Sequence, residues 1–115
     1  MSRTAPLTIV VPVYNEGRNL RAWWEQARAY LPADGAVRLV YDLDEDDTLP
    51  VARALAAEGA PITLVRNTGR GVLGALLTGL RSVEAGPALV SMADLSDDFR
   101  AVPAMMDAYR AGADV

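Results

Sequence analysis

The sequence predicts an α/β fold built on a mainly parallel sheet. Strand-like and helix-like patterns alternate along its 115 residues, which is the order that consecutive βα units produce. The first apolar run, Thr8 to Val11, has no polar alternation and is therefore typical of a strand covered on both faces. Short segments with glycine or proline separate the elements, without a linker or a repeat. We expect one domain, residues 1–115, with right-handed crossovers.

The first half of the chain contains the patterns of two βα units. Apolar residues at helical spacing predict a first helix that begins at Asn15 or Gly17 and ends at Pro32. Residues 37–41 predict a second strand, and the acidic loop 42–47 follows it. Thr48 is the predicted N-cap of a second helix that continues to Glu58. The apolar positions of the first helix are Leu20, Trp23, Trp24, Ala27 and Leu31.

The second half repeats this order. Residues 62–65 predict a third strand, 71–83 a third helix, and 88–92 a fourth strand, with a last helix around Val102 to Tyr109. Residues 113–115 resemble the start of a fifth strand, so we expect a domain that is incomplete at its C-terminus. In the third helix the aliphatic residues expected to face the sheet are Val72, Leu73, Leu76, Leu77 and Leu80.

Composition excludes several classes of function. The chain has no cysteine and no histidine, so any bound metal must have oxygen ligands, which favours magnesium, manganese or calcium. A net charge of −4 disfavours nucleic acid as a partner. There is no run of about 20 apolar residues, and the N-terminal MSRTAP lacks a signal-peptide core. We therefore expect no transmembrane segment and a cytoplasmic protein, either free or peripheral at the cytoplasmic face of the membrane.

Two groups of carboxylates each follow a predicted strand. Asp42 opens the loop 42–47 directly after the second strand, and Asp94 opens 94–98 after the fourth. If these strands lie on either side of the first strand, or beside each other, both groups share one rim of the sheet. Like charges gathered there need compensation, which a divalent metal carrying a diphosphate supplies. The alternative is that acids such as Asp46, Asp47, Asp97 and Asp98 are solvated loop residues and helix caps.

The sequence of the first loop resembles a motif of a known family. Residues 11–16, VPVYNE, followed by Asn19-Leu20, resemble the opening of family 2 glycosyltransferases, nucleotide-sugar enzymes of the GT-A fold. Residues 40–48 are similar to that family's Val-Asp-Asp-Gly-Ser-x-Asp-Gly-Thr segment, which contacts the base and ribose. Tyr41 replaces its first aspartate, whereas Asp42 and Asp46 match the later two. The resemblance implies a nucleotide pocket walled by Pro12, Val13, Tyr14 and Glu16, with Asp42 bound to the base or ribose.

A third segment, Met92-Ala-Asp-Leu-Ser-Asp-Asp98, resembles the family's Asp-Ala-Asp-Leu-x-Asp-Asp. That motif is best known in polyprenyl-phosphate sugar synthases. The resemblance implies that Asp94 binds Mg²⁺ or Mn²⁺ and the diphosphate, with Ser96, Asp97 and Asp98 in support. Met92 stands where the first aspartate is expected, and a thioether is a poor ligand for a hard cation. We therefore expect weakened metal binding.

The segment Gly69-Arg-Gly71-Val-Leu-Gly74 has three interpretations. It matches the Gly-x-Gly-x-x-Gly fingerprint of NAD(P)-binding Rossmann domains, although residues 66–68 separate the strand from the first glycine. It also resembles the Asn-x-Gly-x-Gly segment of family 2 glycosyltransferases, which implies nucleotide contacts from Arg66, Arg70 and Gly71. In the third interpretation the glycines only permit a tight turn and close helix packing.

The resemblance implies inverting, metal-assisted transfer from a UDP- or GDP-sugar to an acceptor such as a polyprenyl phosphate. The catalytic base is then expected beyond residue 115, so this chain supplies the donor-binding half. A non-catalytic alternative is a nucleotide-binding or dimerising fragment. The interface of such a fragment could be formed by Trp23 and Trp24, although core packing is the stronger expectation for this pair. An exposed sheet edge, which would favour a homodimer, is the other candidate. A receiver-type signalling domain is set aside, since the chain has no lysine.

Overall fold

The computed structural model describes residues 5–112. Their strands form a four-stranded parallel sheet in the order β3-β2-β1-β4. The parallel sheet with alternating helices confirms the α/β prediction. The predicted fifth strand at residues 113–115 lies outside the described residues. In chain order the elements are β1 Thr8–Pro12, α1 Gly17–Arg28, β2 Ala36–Tyr41, α2 Thr48–Ala57, β3 Ile62–Arg66, α3 Gly71–Arg81, β4 Ala88–Val90, a 3₁₀ turn Phe99–Ala101 and α4 Val102–Arg110.

β1 is the centre of the fold, and all five of its residues are buried. It pairs with β2 on one side and β4 on the other, with Ile9 opposite Val37 and Leu89. The helices α1, α2 and α4 cover one face of the sheet, where the main core lies. The largest residue of that core is Trp23, whose ring meets Phe99 edge-on with centroids 5.8 Å apart. The core on this face includes Ile9, Val11, Leu20, Trp23, Trp24, Leu39, Leu55, Phe99, Val102 and Met106.

Both tryptophans of α1 belong to this core. Trp23 is fully buried and Trp24 is 7% exposed, so the interpretation of this pair as an interface is wrong. Adjacent residues on a helix point about 100° apart, yet both rings belong to the same buried cluster. Packing in the domain core therefore explains both residues.

Within residues 5–112, α3 is the helix that covers the other face, and it does so with small residues. Ala75, Thr78 and Gly79 are its buried positions, and a Cβ atom on Gly79 would lie only 2.3 Å from Cγ1 of Val10. The prediction of an inward aliphatic face is therefore wrong, because nearly every turn of α3 is apolar and periodicity does not say which side packs. Close approach of the helix to the sheet selects the smallest residues. Of the five predicted residues, Val72, Leu73, Leu77 and Leu80 are exposed and Leu76 is half-buried.

The ends of several elements differ from the sequence predictions for local reasons. α1 begins at Gly17 after Glu16 at the N-cap position and ends at Arg28. Asp47, and not Thr48, occupies the N-cap position of α2. The Thr48 hydroxyl instead accepts the N–H of Glu16 at 2.8 Å. β3 extends one residue further than predicted, to Arg66, and β4 ends two residues earlier, at Val90. Among residues 5–112 no helix has the length and apolarity that crossing a bilayer requires.

Candidate functional site

The loops that carry the predicted site residues meet at the carboxyl rim of the sheet. Since β2 and β4 flank β1, the loops after β1, β2 and β4 lie side by side. The strand order reverses between β1 and β4, and ligands of open α/β sheets bind at such a switch point. The loop with Tyr14 and the loop with Asp94 lie on its two sides, whereas Asp42 follows the strand on the far side of β1. The expectation that both acidic groups share one rim is therefore confirmed.

The loop after β1 is bonded to the loop after β2. The N–H of Asn15 donates to Oδ1 of Asp46 at 3.1 Å, and the Asn15 side-chain oxygen accepts the N–H of Asp47 at 3.1 Å. Oδ1 of Asp47 accepts the N–H of Gly17 at 2.9 Å. Asp46 is buried and also accepts the N–H of Thr48 at 2.8 Å. Asp46 and Asp47 thus have structural roles in fixing these two loops.

The four residues of the opening motif that were predicted to wall the pocket contribute differently to the rim. Pro12 and Val13 are buried, so they form the floor of the loop and show little surface. Tyr14 is 67% exposed and is the aromatic ring that this loop presents to solvent. Glu16 is half-buried, and its carboxylate accepts the side-chain N–H of Asn19 at 3.1 Å. Tyr14 is therefore the residue of this group that is placed to meet a ligand directly.

Asp42 is exposed at the end of β2, and one of its oxygens is already held. Oδ1 accepts a hydrogen bond from Nδ2 of Asn67 at 2.7 Å. Within the described part of the chain, Oδ2 accepts none, so it is available to a donor group of a ligand.

The turn between β3 and α3 is organised by Asn67. Its Oδ1 accepts the N–H of Gly69 at 2.8 Å and the hydroxyl of Thr78 at 3.1 Å, while its Nδ2 also donates to the carbonyl of Gly71 at 3.3 Å. A Cβ on Gly69 would lie 3.0 Å from Cα of Gly74, so these glycines permit close packing of the turn on α3. Asn67 was not among the predicted site residues. The signal that could have found it is its position as the first residue of the Asn-x-Gly-x-Gly segment.

The position of this glycine turn disfavours the NAD(P) interpretation. β3 is an edge strand, and its carboxyl end is removed from the switch point between β1 and β4. Asn67 and Thr68 also separate the end of β3 from Gly69, whereas the dinucleotide fingerprint begins directly after its strand.

The two arginines of this region are not equivalent. Arg66 forms an ion pair with Asp44, and its guanidinium carbon lies 5.9 Å from the centroid of the Tyr41 ring. Arg70 is exposed, has extended backbone dihedrals at the N-cap position of α3, and forms no ion pair with any residue of the described chain. Of the two, Arg70 is the cation that remains available to an anion.

The loop after β4 is anchored by a relay of hydrogen bonds that begins in the core and ends at the exposed Asp97. The indole N–H of Trp23 donates to the hydroxyl of Ser91 at 3.0 Å, and that hydroxyl donates to Oδ2 of Asp97 at 2.6 Å. The same Asp97 oxygen accepts the N–H of Met92 at 3.0 Å, which closes the loop back on the end of the strand. Asp97 therefore positions the segment that contains Asp94.

The three carboxylates of this loop have separate partners. Oδ1 of Asp94 accepts the hydroxyl of Ser96 at 2.5 Å and its N–H at 3.1 Å, and these bonds lower the pKa of Asp94 below its ordinary value. The guanidinium of Arg100 donates to Asp98 and lowers the pKa of that carboxyl to about 2. Among residues 5–112 no three acidic side chains converge as a metal-binding group. Asp94, Asp97 and Asp98 share a loop but are not a chelating set.

The donor set still fits one way of holding a divalent cation. Mg²⁺ and similar ions are commonly bound by one or two carboxylates, with substrate phosphates and water completing the shell. Asp94 meets that requirement through Oδ2, which accepts no hydrogen bond from the part of the chain the structure describes. The neighbouring Met92 is 38% exposed but offers only a thioether. Asp94 therefore has one carboxylate oxygen available to such a cation.

Comparison with known proteins gives a family and a fold. The family model described as glycosyl transferase family 2 matches residues 8–115. A comparison with curated protein sequences gives no match.

Two solved structures are similar to the chain. The mannosyltransferase PcManGT from Pyrobaculum calidifontis, in complex with GDP-Man and Mn²⁺, has a TM-score of 0.75 and 27% identity, covering 98% of this chain and 34% of that chain. A CMP:2-keto-3-deoxy-manno-octonic acid synthetase complexed with CTP has a TM-score of 0.62 and 19% identity, covering 94% of this chain and 48% of that chain. The second likeness shows the fold alone. The chain spans about a third of the mannosyltransferase chain and about half of the synthetase chain.

Proposed function

The chain belongs to glycosyl transferase family 2 and has the GT-A fold, and from that membership we propose that it binds the nucleotide diphosphate of a sugar donor across its carboxyl rim. One observation carries the proposal: Asp42 and Asp94 follow the two strands that flank β1, with the exposed Tyr14 loop between them. Each of these carboxylates has one oxygen held by the protein and one oxygen available to a ligand.

The nucleoside part of the donor lies between Tyr14 and Asp42 in this proposal. A base or ribose presents N–H or O–H donors, and Oδ2 of Asp42 is an acceptor free to receive one. The Tyr14 ring offers an exposed face against which a base can pack. Pro12 and Val13 form the buried floor, and Glu16 completes the wall at the start of α1.

The diphosphate lies toward Asp94, on the β4 side of the Tyr14 loop. Bound Mg²⁺ or Mn²⁺ would stabilise the charge that develops on the leaving nucleoside diphosphate. Asp94 is its protein ligand, and Ser96, Asp97 and Asp98 act by fixing the conformation of the loop. Arg70 and the backbone around Gly71 lie at the β3 end of the rim, beyond Asp42, and contribute a nucleotide contact on that side, whereas Arg66 already neutralises Asp44. The mannosyltransferase complex with GDP-Man and Mn²⁺ supports a GDP- or UDP-sugar as the donor class.

The proposal for this chain is limited to donor binding. The resemblance implies an inverting transfer to an acceptor, such as a polyprenyl phosphate at the cytoplasmic face of a membrane, with a carboxylate base beyond residue 115. The chain spans about a third of the mannosyltransferase chain, so donor binding is the part of the reaction that we assign to it.

Calorimetric titration of the chain with GDP or UDP in the presence of MnCl₂ tests the proposal. Asp42→Ala and Asp94→Ala should each weaken binding by about tenfold or more, because each removes a charged acceptor or ligand. Asp34→Ala is the matched control, since Asp34 is an exposed acid outside the rim, between α1 and β2. Unchanged affinity in both rim variants would reject the site. Tighter binding of NADH without metal would favour the dinucleotide interpretation.

A further inference from the structure

Asn67 uses both ends of its side-chain amide to join two parts of the rim. Nδ2 donates to Oδ1 of Asp42 at 2.7 Å and to the carbonyl of Gly71 at 3.3 Å. Oδ1 accepts the N–H of Gly69 at 2.8 Å and the hydroxyl of Thr78 at 3.1 Å. The orientation of the amide is fixed by these partners, since a flipped amide would set its oxygen against the Asp42 carboxylate and its nitrogen against two donors.

We propose that Asn67 is a positioning residue that couples the Asp42 carboxylate to the turn carrying Arg70. The inference rests on the proposed donor site and adds a residue to it. An exposed aspartate at a strand end samples several rotamers, and a charge-assisted hydrogen bond from a fixed donor selects one of them. Asn67 holds Oδ1 of Asp42 in this way and leaves Oδ2 for the nucleoside.

The other end of the amide is itself rigidly held. Thr78 is buried on the inner face of α3, and its hydroxyl also accepts the N–H of Thr68 at 3.2 Å. Gly69 is fixed against Gly74 by backbone contact, so the turn has little freedom to shift on its own. The amide of Asn67 therefore relates Asp42 to the helix that follows the turn. Arg70 lies in that turn, between the two residues whose backbone Asn67 binds.

This arrangement has an energetic consequence for ligand binding. A site whose acceptor carboxylate is held in one rotamer before the ligand arrives loses less conformational freedom when the ligand binds. Removing the amide frees the Asp42 carboxylate from the turn, although Asn67 itself need not touch the ligand. Its effect should therefore depend on the presence of Asp42.

A double-mutant cycle on nucleotide affinity tests this dependence. In the otherwise unchanged chain, Asn67→Ala should weaken binding of GDP or UDP with MnCl₂ by about tenfold. In the Asp42→Ala background the same substitution should have an effect of less than about threefold, because the carboxylate it positions is gone. A residue that serves stability alone would give the same factor in both backgrounds. Equal factors would therefore overturn the inference.

A second variant keeps the test decisive if Asn67→Ala unfolds the chain. Asn67→Asp retains an acceptor for Gly69 and Thr78 but places a carboxylate against Asp42, so it should fold and still lose affinity. Thr63→Ala, at an exposed position of β3 outside the turn, is the control and should bind as the unchanged chain does. Wild-type affinity in Asn67→Asp would also overturn the inference. Absence of nucleotide binding by the unchanged chain would instead reject the proposed function.

Discussion

The backbone N–H of Asn15 donates to the buried carboxylate of Asp46 at 3.1 Å, so an acid of the loop after β2 holds the loop after β1. Asn15 has a φ of 49°, a left-handed conformation that asparagine tolerates better than most residues. The bond is one of a set that also connects Asp47 and Thr48 to the start of α1. The polar residues of the opening motif are thus partly explained by the hydrogen bonds that hold its loop.

Replacing Asp46 should therefore destabilise the fold. Asp46→Ala leaves the N–H groups of Asn15 and Thr48 without their acceptor, which should lower the free energy of unfolding by about 1–3 kcal/mol. Urea denaturation followed by circular dichroism measures the change. Glu45→Ala, at the exposed neighbouring position, should change it by less than about 0.5 kcal/mol. Equal effects of the two substitutions would refute the structural role of Asp46.

The close approach of α3 to the sheet predicts a penalty at Gly79. In Gly79→Ala the new methyl group meets side chains of Val10 and Val40, so overpacking should cost about 1–3 kcal/mol despite the higher helix propensity of alanine. Leu77→Ala, on the exposed side of the same helix, should cost less than about 0.5 kcal/mol. Thermal unfolding of both variants measures the difference. A stabilised Gly79→Ala would show that α3 lies further from the sheet.

The relay from α1 to the loop after β4 predicts an effect at Ser91, which is its buried centre. Ser91→Ala removes the acceptor of the Trp23 indole and one donor to Asp97, and should lower the free energy of unfolding by about 1–3 kcal/mol. Thr63→Ala is the control, because Thr63 is exposed and lies outside the relay. If Ser91→Ala were as stable as the control, the relay would contribute nothing to the fold.

The ion pair between α1 and α2 predicts a pH effect that is small but can be measured directly. Bidentate hydrogen bonds from Arg21 lower the pKa of Glu58 below its ordinary value of 4.5. The stabilisation by this pair is therefore present above the unfolded pKa and is lost as the pH falls through the lower folded pKa. NMR titration of the Glu58 carboxyl should show its midpoint return to the ordinary value in Arg21→Gln. Arg28→Gln, which removes the partner of Glu25, should leave that midpoint in place, and a shift there would contradict the assignment.

Much of the fold could be predicted because the relevant patterns are local. The uninterrupted apolar run of β1 indicated a central strand, and the alternation of elements indicated a parallel sheet, as the structure confirms. The orientation of α3 could not be predicted from periodicity, since leucines occur around most of the helix. Gly79 is the residue that shows which side of α3 packs on the sheet. Because glycine has no side chain, the hydropathy pattern of the sequence gives no sign of this role.

The loops that form the candidate site could be predicted from the sequence, but the role of each residue in them could not. Asp42 and Asp94 lie on one rim as expected, because both follow strands that neighbour β1. Whether an acid is free or engaged depends on partners distant in sequence. Asp97, for example, is bonded to Ser91, which in turn binds the indole of Trp23. Asn67 lay within a recognised segment, but its four hydrogen bonds appear only once the turn folds against α3.

Paramagnetic broadening by Mn²⁺ in the presence of GDP tests most directly whether the carboxyl rim is the donor site. With Mg²⁺ as the diamagnetic reference, amide signals of residues 13–16, 42–44 and 94–98 should broaden, and Asp94→Ala should restore them. Broadening centred instead on the cavity of about 150 Å³ between α1 and α2, lined by Trp24, Arg28 and Glu58, would contradict the account.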